Sequence, residues 1–221
     1  MYKIDFSILS SWIPHLLKGM LITIELSIIT FIIGSILGII IGSLKSSIKN
    51  KIINIIASIY VELFRGTPVL VQLFLIYFGL GQLGLLFTPI QAGIITFSLN
   101  TGAYVSEIIR GAILGIDKGQ FEAASALGLS TFKCYIYIIL PQAIRIAIPP
   151  LVNTISAILK DTSLISTIAV IDLTRVGQMI YTSTFRPFEA FIAIGCIYLF
   201  LNICIVYFSK FLEKKINFKY C

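Results

Sequence analysis

The chain has 221 residues, 57% of them hydrophobic and 12% charged, with a mean hydropathy of +0.99 and a net charge of +7. A soluble domain carries about 25% charged residues. Half that fraction, with repeated long apolar runs, places the chain in the bilayer as one integral unit over residues 1–221 and leaves almost no length for a soluble domain. The positive charge therefore speaks first to orientation and not to nucleic acid, because Lys and Arg collect on the cytoplasmic side. The four cysteines, Cys134, Cys196, Cys204 and Cys221, form no CxxC pair, and His15 is the only histidine. Clustered metal ligands are absent, so no metal site is expected. No Gly-Lys dipeptide occurs, so there is no Walker A loop. The first apolar run exceeds a signal-peptide core of about 7–15 residues and is expected to be retained.

The first expected span covers residues 19–43, with Glu25 as its only charge, placed to snorkel from the outer end. Thr30, Gly34, Gly38 and Gly42 recur every four residues, a stripe on one helix face that lets another helix approach closely. That stripe suits packing within the subunit or a helix contact in a dimer. A basic loop with Lys45, Lys49 and Lys51 follows.

The second span is expected over residues 52–80. Asn54, Ser58, Glu62, Arg65, Val69 and Gln72 share a face, and Glu62 and Arg65 are spaced to pair with each other. A charge inside a span faces a partner or a watery cavity. Gly66-Thr67-Pro68 then predicts a helix break near mid-span, since proline lacks a donor and disfavours helix at the residue before it. A packed kink with an internal ion pair is one reading; a broken helix lining a substrate site is the preferred one.

The third span, residues 90–109, carries Thr96, Asn100, Tyr104 and Glu107 on one face. A polar region over residues 110–145 interrupts the apolar pattern. Inside it, Asp117 and Gly119 precede a helical run from Phe121 to Leu127, and Gly128 suits the helix end. Phe121, Leu127 and Leu129 are expected on its apolar side. Such a helix either lies in a partner's groove or merely caps the bundle. The fourth span, residues 146–171, is expected to start with Pro149-Pro150 in its first turn. Its centre holds Lys160-Asp161-Thr162-Ser163, with Lys160 and Asp161 about 100° apart on a helix. An outer loop with Asp172, Arg175, Arg186 and Pro187 leads to the fifth span, residues 188–208.

Orientation follows from the basic residues. The first basic loop, the polar insert (Arg110, Lys118, Lys133, Arg145) and the tail (Lys210, Lys214, Lys215, Lys219) hold eleven; the opposite side holds four, namely Lys3, Lys18, Arg175 and Arg186. The richer side is cytoplasmic. This gives an all-α membrane protein with five spans, an outer N-terminus, a cytoplasmic C-terminus and a cytoplasmic insert between the third and fourth spans. Gly66, Asn100 and Lys160 then fall at similar depth, where transporters place their substrate.

Glu122-Ala123-Ala124, three residues, Gly128, nine residues, Ile138, one residue and Leu140-Pro141 resemble the EAA motif of ABC-type importer permeases. The segments Val61 to Pro68, Ala103 to Arg110, Pro141 to Ala143 and Leu159 to Leu164 resemble the polar amino acid uptake branch of that family. The resemblance implies a bacterial cytoplasmic-membrane, multi-pass permease that is not itself an enzyme. It implies a cytoplasmic ATP-binding subunit that carries the ATP, a second permease copy or close relative, an extracytoplasmic solute-binding protein and an amino acid substrate; no cofactor binds the permease directly. Glu122, Ala123, Ala124, Ala126, Leu127, Gly128 and Leu129 would then form the coupling helix. Thr67, Pro68, Gln72, Asn100, Tyr104, Asp161, Thr162 and Ser163 are candidates to surround the substrate because they share mid-depth and cavity-facing stripes. Glu62, Arg65 and Lys160 are the ion-pair candidates. An ion-gradient-driven transporter or channel subunit is the alternative, with Glu62 and Asp161 relaying protons, but it leaves the cytoplasmic insert unexplained.

Overall fold

The computed structural model describes residues 4–47 and 50–217. Lys3, Lys49, Lys219 and Cys221, named above, lie outside the described residues. Among the described residues the fold is helical, with no strand. A 3₁₀ turn, Phe6–Trp12, leads into α1 (Ile13–Ser47), followed by α2 (Lys51–Gly66) and α3 (Val69–Phe74). The chain from α3 runs on through a π-helical turn, Leu75–Gly79, to Gln82. Then come α4 (Pro89–Leu114), α5 (Lys118–Ala126), α6 (Leu140–Asp161), α7 (Leu173–Thr184) and α8 (Pro187–Asn217).

The ends follow from local chemistry. Asn50 caps α2 by accepting from the Ile52 and Ile53 N–H groups, and Pro89 opens α4 where a missing N–H costs nothing. Helices long and apolar enough to cross a membrane lie within Phe6–Ser46, Thr131–Ile168 and Pro187–Phe211, and the broken pair Lys51–Gly66 with Val69–Gln82 makes a fourth. The 26 residues of α4 are long enough for a span; what they lack is apolarity, because they carry Gln91, Asn100, Glu107 and Arg110.

Two expectations need correction. Pro149 and Pro150 do not open a helix; they lie well inside α6. The apolar helical pattern continues back through a π-helical turn, Tyr135–Ile139, to Thr131. Within this stretch Pro141 directly follows the π-helical turn, an irregularity in the hydrogen-bond ladder beside a residue that has no N–H to give. The supposed outer loop after Asp172 is the 12-residue helix α7. Its signals were in the sequence: Leu173, Val176, Gly177 and Ile180 recur at helical spacing and are buried. Asp172 caps it, accepting from the Thr174 and Arg175 N–H groups at 3.2 and 2.9 Å. Burial pushes the Asp172 carboxyl up to about 6, against the pull of those two donors.

The chain forms two compact units. The first holds the described residues up to Thr30 with Val69–Phe97 and Ile155–Tyr207. In it Leu16, Leu173, Val176, Ile180, Ala190 and Ile194 make one core cluster, and Leu26, Leu73, Ala92, Phe97, Ile165 and Ile168 belong to another. The Thr23 hydroxyl accepts from the Leu173 N–H at 3.2 Å. Fully buried Glu189 accepts from the Asp5 N–H and from Arg186, each at 3.0 Å, and so ties the N-terminal turn down.

The second unit holds Phe31–Pro68 and Ser98–Thr154 with the described residues from Phe208. Its core joins Val105, Ile109, Ala112 and Ile113 of α4 to Ala124, Ile139, Ala143 and Ala147. Here the glycine stripe of α1 is explained. A Cβ on Gly34 would lie 2.6 Å from Thr101, and one on Gly38 2.5 Å from Val105 and 2.9 Å from the Gly102 carbonyl. One on Gly42 would collide with the Ser106 carbonyl. The stripe is the seam between α1 and α4 of one subunit, and not a face left open for a dimer.

Gly38→Val should therefore force α1 and α4 apart at a cost of about 1–3 kcal/mol, read as a lower thermal midpoint in detergent. Gly111→Ala, where an added Cβ meets nothing within 4 Å, should leave the midpoint unchanged or raise it.

Candidate functional site: a broken helix and a braced polar helix

The break expected at Gly66-Thr67-Pro68 is present. Helix α2 stops at Gly66, Thr67 is extended (φ −117°, ψ 148°) and α3 opens only at Val69. In an uninterrupted helix the Phe64 carbonyl would accept from the N–H of residue 68, and Pro68 has none. The side-chain amide of Asn100 donates to that carbonyl instead, at 2.8 Å. One turn earlier the Tyr60 hydroxyl donates to the Leu99 carbonyl at 2.6 Å, so α2 and α4 are cross-braced in both directions. The Thr67 hydroxyl donates back to the Leu63 carbonyl at 2.7 Å and closes the last turn.

Glu62 and Arg65 do not pair as the spacing suggested. The Arg65 guanidinium lies over the Tyr104 ring, 5.2 Å from its centroid, a cation–π contact. No ion pair joins Glu62 to Arg65 among the described residues. Glu62, Arg65, Thr67 and Pro68 are exposed, and Tyr104 is 42% exposed. With Val61 and Gly66, the charged pair and Tyr104 line an open concavity of about 410 Å³.

The remaining mid-span candidates belong to the first unit. Gln72 is buried on α3. At Asp161 the α-helical pitch of α6 gives way to a 3₁₀ turn, Thr162–Ile168, which ends at Ala169 in the left-handed region (φ 65°). Lys160 is exposed, Asp161 and Ser163 are half-buried, and Thr162 is buried with its hydroxyl on the Leu159 carbonyl at 2.9 Å. No ion pair holds Lys160 among the described residues.

The polar insert folds as read. Asp117 caps α5, accepting from the Gly119 N–H at 2.6 Å. Gly128 takes φ +72°, its N–H bonded to the Ser125 carbonyl at 3.0 Å, and the Leu129 N–H reaches the Ala124 carbonyl at 3.1 Å. This is the Schellman ending that glycine favours. Ala124 is buried, while Phe121 and Leu129 pack against the core of the second unit. Leu127 departs from the expected apolar side: it is 78% exposed, alongside exposed Glu122, Ala123, Ser125 and Ala126. The Gly128 turn follows directly and sends Leu129, not Leu127, inward.

Contacts between residues far apart in sequence brace this helix and its surroundings. The Phe121 ring meets Tyr135 edge-on at 5.8 Å, and the Tyr135 hydroxyl donates to the Ser46 carbonyl at the end of α1, at 3.1 Å. The Gln142 amide donates to the Ile138 carbonyl at 2.8 Å and to Gln120 at 3.4 Å. Glu107 bridges Lys45 at 2.7 Å and Arg110 at 2.8 Å. The Glu107–Arg110 spacing of three was legible; Lys45 and Tyr135 were not, because their partners lie far away in sequence.

Residues 34–218 match the family described as binding-protein-dependent transport system inner membrane component. The glutamine transport system permease protein GlnP of Escherichia coli K12 is 41% identical over 161 residues, covering 72% of this chain and 74% of that protein. The crystal structure of an amino acid ABC transporter with histidines contains a chain that superposes with a TM-score of 0.89 at 36% identity, covering 97% of this chain and 100% of that one. An inward-facing structure of the MetNI methionine ABC transporter gives a TM-score of 0.83 at 18% identity over 94% of this chain and 98% of that one, a likeness of fold alone.

The hydrogen bond at the break makes a sharp prediction. Asn100→Leu should destabilise the protein by about 1 kcal/mol, and the loss should shrink in a Pro68→Ala background, where residue 68 regains its N–H. A double-mutant cycle in thermal unfolding that shows equal losses in both backgrounds would contradict this role.

Proposed function

The chain belongs to the family of inner membrane components of binding-protein-dependent transport systems, and from that premise we propose that it is the permease subunit of an ATP-driven importer for polar amino acids, with glutamine the first candidate. The observation that carries this reading is α5: a helix braced on its inner side by Phe121, Ala124 and Leu129, yet exposed along Glu122, Ala123, Ala126 and Leu127. A helix that only capped the bundle would have no use for an exposed Leu127 at its tip.

In this proposal five spans cross the membrane, with the N-terminus outside and the C-terminus in the cytoplasm. The third is α4, whose 26 residues reach about 39 Å; its polarity is tolerable because Thr96, Ser98, Thr101 and Ser106 are buried against the protein. Residues 118–129 are the coupling helix and its turn, seated in a cytoplasmic ATP-binding subunit that carries the ATP. A second permease and an extracytoplasmic solute-binding protein complete the importer. ATP binding draws the ATP-binding subunits together, and α5 passes that motion through Tyr135 and Gln142 to α1 and α6. The permease has no catalytic residue in this scheme. Alternating access then needs no proton relay, and Glu62 and Asp161 are released from that role.

Within each unit, separate residues face the substrate path. At the broken helix these are Thr67, Pro68 and Tyr104, with Asn100 holding the break. At the change of pitch they are Asp161, Ser163 and the backbone at Thr162, with Gln72 buried on α3. Backbone groups freed at such irregularities suit an amino acid's carboxylate, and Asp161 suits its ammonium.

The test uses proteoliposomes holding the permease, its ATP-binding subunit and its solute-binding protein. Glutamine uptake should require internal ATP and survive a protonophore. Gly128→Asp should leave the permease folded, abolish uptake and release the ATP-binding subunit on purification, because aspartate at φ +72° strains the turn and adds charge to the docking face. Uptake that collapses with the proton gradient and ignores ATP would overturn the reading.

A further inference from the structure

We propose that α2 is the contact between two copies of this chain, with Glu62 of each copy paired to Arg65 of the partner subunit. The inference deepens the function proposed above and rests on its second permease. It starts from depth. Helix α2 begins at Lys51, on the side richer in basic residues. Eleven residues separate Lys51 from Glu62, and at 1.5 Å each they raise it about 16 Å, half of a hydrocarbon core of roughly 30 Å. Glu62 and Arg65 thus sit near mid-membrane, and both are exposed on the single chain.

Charges at that depth do not face lipid; they meet a partner or a water-filled cavity. Among the described residues neither side chain has a charged partner: the salt bridges engage Lys45, Glu107, Arg110, Arg186 and Glu189. Arg65 lies over the Tyr104 ring. Both charges line an open concavity, and a second copy of the chain supplies the counter-charge to each.

The face that carries them is shaped for a copy of itself. Ile52, Ile55, Ile59, Glu62 and Gly66 follow at steps of three, four, three and four, the seam of a two-stranded helix pair. Every one of them is exposed, Ile52 at 67%, Ile55 at 50% and Ile59 at 60%. A Cβ on Gly66 would meet nothing within 4 Å, so this glycine is not required by packing inside the chain. Arg65 flanks the seam, one residue before Gly66. Two copies in one membrane share an orientation, so their two-fold axis runs along the membrane normal and the helices run parallel. A two-fold contact is reciprocal: a single helix face bearing one acid and one base, unpaired with each other, is complementary to itself. Glu62 and Arg65 differ in height by about 4.5 Å, a gap that an arginine side chain spans.

Ile59→Cys, in a chain whose four native cysteines are replaced by serine, tests the contact in native membranes. Mild oxidation should convert most of the chain to a disulfide-linked dimer, while reduced protein keeps its ATP-dependent uptake. Glu62→Arg and Arg65→Glu should each lower uptake and dimer recovery at least tenfold, and the double exchange in one chain should recover both to within about threefold. Intact uptake with no cross-link would overturn the proposal and leave the transport function standing. A cross-link without recovery in the double exchange would overturn the charge pairing. Loss of ATP-dependent uptake in the cysteine-free parent would point to the functional reading instead.

Discussion

A missing hydrogen organises the middle of this protein. Pro68 cannot donate to the Phe64 carbonyl, and Asn100 does so from α4. Lipid offers no donor, so a helix broken in the membrane has to be completed by another helix. That requirement fixes α2 against α4, and the Tyr60 to Leu99 hydrogen bond repeats the tie one turn away. The glycines of α1 then bring a third helix onto the other side of α4, close enough for backbone contact. With apolar lipid outside, this close fit rather than water exclusion holds the helices together. The break itself leaves Thr67 and Pro68 exposed beside Tyr104. The exposed polar groups at the break are therefore a product of the packing.

The polar insert rests on the same scaffold. Ile109, Ala112 and Ile113 continue α4 below the break, and Ala124, Ile139 and Ala143 pack on them. Tyr135 joins α5 to the end of α1 through one ring contact and one hydrogen bond. A displacement of α5 is thus felt by α1, α4 and α6 together. The Lys45–Glu107–Arg110 cluster ties α1 to α4 beside that joint.

What the sequence made legible was local or periodic. The break came from Pro68, the short helix α5 and its left-handed end from Asp117 and Gly128, and the close seam from glycines four apart. What it hid was set by distant partners. Arg65 prefers the Tyr104 face to Glu62, and nothing in their spacing of three reveals that. Asn100 reads as a substrate candidate because it is polar and central; that its amide also donates to the Phe64 carbonyl is invisible in the sequence. Leu127 reads as sharing an apolar side with Phe121 and Leu129, but the left-handed residue Gly128 separates it from Leu129 and leaves it exposed. Around α7 the charges of Asp172, Arg175 and Arg186 suggest a loop and mask the helical spacing of Leu173, Val176 and Ile180. Pro149 and Pro150 suggest a helix start, but the apolar helical pattern runs through them.

The central claim is that α5 is the seat of the ATP-binding subunit, and Leu127 is its most exposed apolar side chain, at 78%. The direct measurement is site-specific cross-linking from a photoreactive residue at position 127 in the assembled complex. The account predicts a single adduct with the ATP-binding subunit, whose yield changes when ATP is bound. An adduct only with lipid, or none with that subunit in a complex that still transports, would contradict it.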